Sequence, residues 1–145
     1  MKFLKYALIV LFSAGLMSCG GSSGGDDDKT DVTKPTVNLT TPAEGQEIVA
    51  GTILKVSAAL SDNVELNEYV VTIAKGTKSV KTVKEFKYDS RSMSGLPTIS
   101  GKSYDLSFDI EVPQDAEREP YVFTITVSDK TGNETVVKRS ITIKA

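Results

Sequence analysis

Apolar and polar residues alternate along most of the chain after Pro35. The period is two rather than 3.6, the pattern of half-buried strands rather than helices. The cleanest case sets Tyr104, Leu106, Phe108, Ile110 and Val112 on one face against Ser103, Asp105, Ser107, Asp109 and Glu111 on the other. Tyr121-Phe123-Ile125-Val127 alternates just as regularly with Val122, Thr124 and Thr126. Leu54-Val56-Ala58-Leu60 and Tyr69-Val71-Ile73 predict two more strands, Val37-Leu39 a short first one, and Val136 to Ile143 the last. In that last run the alternation slips between Val137 and Arg139, which predicts a bulge or an exposed edge. Lys78 to Tyr88 is Lys-rich and changes phase near Val83 to Phe86, as suits an edge that must not pair with a neighbouring molecule.

Turn chemistry separates these runs: Pro42-Ala43-Glu44-Gly45, Ser61-Asp62-Asn63, Lys75-Gly76, Ser94-Gly95-Leu96-Pro97 and Asp129-Lys130-Thr131-Gly132-Asn133. About seven short strands with regular turns in roughly 100 residues predict an all-β fold, a single Ig-like β-sandwich. The chain has no Trp and a single Cys, which excludes the antibody-type pattern of inter-sheet disulfide and buried Trp. Tyr121 opens the penultimate strand after Glu117-Arg118-Glu119-Pro120, the position of a tyrosine corner.

Ahead of the strands lies a different kind of segment. Lys2 and Lys5 precede the apolar run Tyr6 to Phe12, and Ser13, Ala14 and Gly15 lead into Leu16-Met17-Ser18-Cys19. A positive start, a short apolar core and a small-residue end describe a secretory signal peptide. The run falls short of the about 20 apolar residues that a spanning helix needs. Leu16 to Cys19 resembles the bacterial lipobox, with Met17 bulkier than the usual residue there. That resemblance implies a signal peptide over 1–18 and lipidation of Cys19. Each buried methylene contributes about 0.8 kcal/mol, and two chains or more make the anchor stable. Gly20 stands where an Asp would mark inner-membrane retention, so the resemblance points to the outer membrane. Plain secretion with a free Cys19 thiol is the alternative, an unusual state for an oxidising compartment.

Residues 19–33 form the lipidated cysteine and a Gly/Ser/Asp tether, and 34–145 the sandwich domain. The stretch from Gly20 to Asp31 has no large apolar residue and cannot offset its ordering entropy by burial. About 12 residues of this composition span roughly 20 Å. Asp26-Asp27-Asp28 reads as a solvated linker. Many Bacteroidetes surface lipoproteins carry acids just behind the lipidated cysteine, and by that likeness surface exposure is slightly favoured over a periplasm-facing position. Removal of residues 1–18, which hold Lys2 and Lys5 and no acid, leaves 15 basic and 19 acidic residues, a net charge of −4. Such a balance gives no electrostatic reason to bind nucleic acid. With Cys19 committed to lipid, neither a disulfide nor a Cys-based metal site is available.

Several segments together resemble a family of uncharacterised Bacteroidetes lipoproteins with an Ig-like domain, a domain of unknown function. They are Lys34-Pro35-Thr36, Gly51-Thr52-Ile53-Leu54, Leu60 to Leu66, Ile110-Glu111-Val112-Pro113 and Tyr121 through Asn133. Members associated with this pattern carry histidines just after the third strand, able to hold a metal. Here that region reads Thr72-Ile73-Ala74-Lys75-Gly76-Thr77-Lys78, and the chain contains no histidine.

Candidate chemistry gathers in two loops. Asp129 to Asn133 has every feature of a hairpin turn, with Gly132 in the left-handed conformation. In an Ig-like sandwich it lies at the same end as Asp62-Asn63. Asp62, Asp129 and Asn133 are therefore candidate ligands of a weak calcium site, and Asp62, Asn63, Lys130 and Asn133 candidate contacts for a partner. Gly95 to Ser103 superficially resembles a phosphate-binding loop, but the glycine spacing is one residue too long and Tyr104 begins a strand where a helix is required. No histidine or second cysteine is present to build a nucleophile–base pair, and no enzyme is expected. The expectation is an outer-membrane lipoprotein presenting a non-catalytic Ig-like module to a glycan, a protein or an envelope complex. The alternatives are a calcium-binding module and, third, an enzyme of unrecognised type.

Overall fold

The inward rows of these strands pack against one another. The computed structural model describes residues 30–76 and 86–145. Among them are eight strands: β1 (Thr36–Thr41), β2 (Gln46–Val49), β3 (Ile53–Ser61), β4 (Leu66–Lys75), β5 (Phe86–Asp89), β6 (Ser103–Glu111), β7 (Pro120–Asp129) and β8 (Glu134–Lys144). They form a three-stranded sheet in the order β1-β3-β6 and a five-stranded sheet in the order β2-β8-β7-β4-β5. The fold is an Ig-like β-sandwich. The signal peptide, Cys19, the tether up to residue 29 and most of the Lys-rich run lie outside the described residues; β5, the end of that run, is an edge strand.

Leu54, Val56, Ala58 and Leu60 of β3 and Leu106, Phe108 and Ile110 of β6 are buried from one sheet. Tyr69, Val71 and Ile73 of β4, Phe123, Ile125 and Val127 of β7 and Ile141 and Ile143 of β8 are buried from the other. Each buried Val, Leu, Ile or Phe among them stabilises the fold by about 1.5–3 kcal/mol through area removed from water. With no disulfide available, this core carries the stability.

Three local features refine the pattern. Between Leu66 and Glu68 the β4–β7 register shifts, and this bulge lets both Leu66 and Tyr69, three residues apart, face inward. The slip expected in β8 is not a bulge, because β7 and β8 pair without a shift from Ser128↔Glu134 to Pro120↔Thr142. Arg139 instead takes an inner-row position opposite Phe123, while Val136 faces out. Among the described residues no strand pairs with β8 on its β2 side before residue 141, although the Gly45 N–H donates to the Ser140 carbonyl there at 2.8 Å. The third feature is β2 itself, which the alternation did not predict: after the turn at Pro42–Gly45 the chain leaves the first sheet and pairs parallel to β8.

Strand directions give the sandwich two distinct ends. β1, β4, β6 and β8 start at one end, where β3 and β7 finish, so residues 30–35 and the loops 62–65, 90–102 and 129–134 share it. The 49–53 and 112–119 turns and the last residues occupy the other. There the Tyr121 hydroxyl donates to the Glu117 carbonyl at 3.1 Å, the expected tyrosine corner. Lys75 pairs with Glu117 and with Glu119 alongside it.

Candidate metal centre

Three acidic side chains from distant parts of the sequence meet where the chain enters the sandwich. Each is positioned by its own local turn. In the β3–β4 loop, Asp62 Oδ2 accepts the N–H groups of Val64 and Glu65, both at 2.8 Å. Its backbone N–H donates to the Lys102 carbonyl at 2.8 Å, which fixes the loop against the chain entering β6. In the β7–β8 loop, Asp129 Oδ1 accepts the N–H groups of Thr131 and Asn133, both at 2.8 Å. Gly132 completes that turn with φ of 91°, a conformation that a side chain disfavours. Ahead of β1, Asp31 Oδ1 accepts the Thr33 N–H at 3.0 Å and the Asn63 amide at 2.9 Å.

One carboxylate oxygen from each of Asp31, Asp62 and Asp129 lies within 4.8 Å of the other two. Turn geometry explains how the oxygens divide. Asp31 Oδ1, Asp62 Oδ2 and Asp129 Oδ1 serve the backbone of their own loops. Asp31 Oδ2 and Asp62 Oδ1 are enclosed by protein, and no hydrogen-bond donor among the described residues reaches either. Asp129 Oδ2 accepts the Asn133 amide at 2.7 Å.

The charge state follows from the same bonds. The Asn63 amide and the Thr33 N–H hold the Asp31 carboxyl below its ordinary value, against desolvation and the neighbouring charge of Asp129. Burial pushes the Asp129 carboxyl upward, but hydrogen bonds from Asn133 and Thr131 outweigh it and leave it below the ordinary value. Both are therefore ionised at neutral pH and face each other. Oxygen donors without histidine or thiolate suit hard cations such as calcium or magnesium.

The structure thus places Asp62, Asp129 and Asn133 together, with Asn63 bonded to Asp31 beside them. Lys130 turns aside to an ion pair with Glu65 at 2.7 Å. Asp31 is the member that sequence reasoning missed, since composition assigns it to the tether. Its spacing to Thr33, the signature of a local Asp turn just ahead of the first strand, is the one signal that marks it.

Residues 22–144 match the family model described as "Domain of unknown function (DUF4625)". No curated protein matches the chain. Among solved structures, a Niemann-Pick type C2 protein from Japanese carpenter ant is similar at a TM-score of 0.50 and 11% identity, covering 77% of this chain and 90% of that one. The fibronectin(III)-like modules of Clostridium thermocellum CbhA give 0.46 at 14% identity, over 75% of this chain and 96% of theirs. Murine CRIg gives 0.42 at 18% identity, over 77% and 98%. At these identities the likeness is one of fold.

Proposed function

This chain belongs to the family described as a domain of unknown function (DUF4625), and from that premise we propose that it is a lipid-anchored, non-catalytic Ig-like module of the outer membrane. The lipid is carried on Cys19, and the module contacts a glycan, a protein or an envelope complex at the cell surface. The observation that supports this reading most is the polarity of the sandwich. The chain enters at the end that gathers residues 30–35 and the 62–65 and 129–134 loops, which leaves the 49–53 and 112–119 turns pointing away from the tether. Asp62, Asn63, Lys130 and Asn133 then belong to the anchor side, and contact with a partner falls to the opposite end. Loops on a rigid scaffold are where recognition residues are commonly placed.

Two measurements test it. Wild-type cells incorporate labelled palmitate into the protein and Cys19→Ala cells do not; equal label in both removes the anchor. A photocrosslinker at Thr52 captures a defined envelope component in cells, and one at Lys130 does not. Capture from Lys130 alone reverses the assignment of the two ends.

A further inference from the structure

We propose that Asp31, Asp62 and Asp129, together with Asn133, bind one calcium ion, and that this ion fastens the end of the tether to the domain. The site does not depend on the lipid or on any partner, and it stands on two separate observations. The first is the convergence of three carboxylates within 4.8 Å. The second is that Asp31 Oδ2 and Asp62 Oδ1 are shut away from solvent with no donor among the described residues. A buried carboxylate oxygen without a hydrogen bond is costly unless a cation or an ordered water meets it.

Asn133 joins the set by rotation of its amide. Without an ion its Nδ2 donates to Asp129 Oδ2 at 2.7 Å and to the Asp31 carbonyl at 2.8 Å. Once an ion occupies the cluster, a half-turn of the amide exchanges this donor for Oδ1. Three carboxylate oxygens, this Oδ1 and the Asp31 carbonyl make a set that water completes to the six to eight oxygens calcium takes. Because the second oxygen of each aspartate is held by its own turn, the set is organised before the ion arrives.

Calcium is favoured over magnesium by geometry. Calcium accepts six to eight oxygens in a flexible arrangement, whereas magnesium demands a near-ideal octahedron and keeps several of its waters. Carboxylates brought together from three separate loops suit the more permissive ion. Extracellular calcium modules of this kind bind in the range of about 10⁻⁴ to 10⁻³ M.

The consequence lies in which residues are joined. Asp62 and Asp129 belong to the sandwich, but Asp31 stands ahead of the first strand, on the segment that leads from Cys19. Residue 31 is already held to the domain by the Asn63 and Asn133 amides, at 2.9 and 2.8 Å. An ion shared by the three carboxylates adds a staple to these bonds, between the segment ahead of the first strand and the two loops.

The test uses the full mature chain in detergent micelles, stripped of divalent cations. Calcium chloride is added with calorimetry, and amide exchange is followed over residues 30–34. The expected result is one ion per chain and exchange at Val32 and Thr33 slowed by about ten-fold or more, with magnesium chloride at equal concentration ineffective. Asp31→Asn weakens binding by about ten-fold or more and abolishes the slowing, while core exchange is unchanged. Asn133→Asp, which replaces the amide by a carboxylate, tightens calcium binding. An absence of calcium binding to wild type overturns the site; binding without slower exchange at Val32 and Thr33 overturns the staple. Unchanged affinity in Asp31→Asn also overturns it.

Discussion

Tyr69 is a test of how this core is balanced. Its ring is fully buried and lies 5.6 Å from the Phe108 ring at a 33° tilt, but its hydroxyl has no hydrogen-bond partner among the described residues. Burying an unpaired hydroxyl costs about 1–3 kcal/mol. Tyr69→Phe keeps the ring, its area and its contact with Phe108, and removes only that oxygen. The lost contacts of one atom, at about 0.1–0.2 kcal/mol per neighbouring heavy atom, offset part of the gain. The net expectation is stabilisation by about 1 kcal/mol, read as a melting temperature higher by roughly 4 °C for a domain of this size. Urea unfolding followed by circular dichroism gives the free energy directly, and the slope should not change. The variant also has an alkaline signature. Burial pushes the Tyr69 hydroxyl up to about 12, with a smaller contribution from Tyr104. A folded value raised above the unfolded one means that this stability is complete below pH 10 and is lost as pH climbs toward 12. Tyr69→Phe should flatten that part of the decline. Destabilisation by about 1 kcal/mol or more, the worth of one hydrogen bond, would show that the hydroxyl has a partner such as a buried water and would refute the reasoning.

Tyr121→Phe should act in the opposite direction, because its hydroxyl donates to the Glu117 carbonyl at 3.1 Å; a loss of about 1 kcal/mol is expected in the same urea experiment. Gly132→Ala meets no neighbouring atom but must hold φ near 91°, so it should destabilise by about 1 kcal/mol through backbone strain alone, measured by thermal melting. Asp129 has a folded value held below 3.8 once its hydrogen bonds outweigh burial, so its contribution is present above that pH and is lost as pH falls through the lower folded value. Acid titration of stability in wild type and Asp129→Asn should differ in that window and run parallel above it.

Alternation made most of the sandwich legible because β3, β6 and β7 each present an apolar row to the opposite sheet. Where one row did not carry the information, the reading failed for a physical reason. β2 buries Ile48 in a four-residue strand and is held by its parallel pairing with β8, a contact between residues nearly a hundred positions apart. Arg139 occupies an inner position at which no described strand pairs with β8 on one side, so a polar residue there mimics a bulge in the sequence. For the candidate site, turn chemistry marked Asp129 and Asp62, and the Ig-like topology placed them at one end. Asp31 was hidden by its surroundings: an aspartate at the close of a Gly/Ser/Asp tract looks like linker until the fold brings Asn63 and Asn133 against it.

The two ends of the molecule differ in a way that bears on which of them meets a partner. At the end where residues 30–35 enter, polar side chains are committed to one another: Asn63 to Asp31, Asn133 to Asp129, Lys130 to Glu65. At the far end, Ile53 is 62% exposed and Val49 48% exposed, on either side of the Gly51 turn that the Val112 carbonyl holds through the Gly51 N–H at 3.0 Å. Two exposed apolar residues are ordinary on a protein surface. Their position is what matters, since they stand on a turn braced from β6 and turned away from the tether. Ile53→Glu sets a second carboxylate opposite Glu111 across the β3–β6 pair and should cost about 0.2–1 kcal/mol, too little to unfold the domain. If the far end is the contact surface, the same substitution abolishes capture by a photocrosslinker at Thr52 while leaving palmitate incorporation at the wild-type level. Undiminished capture in Ile53→Glu would place the contact elsewhere on the domain, whatever the state of the anchor.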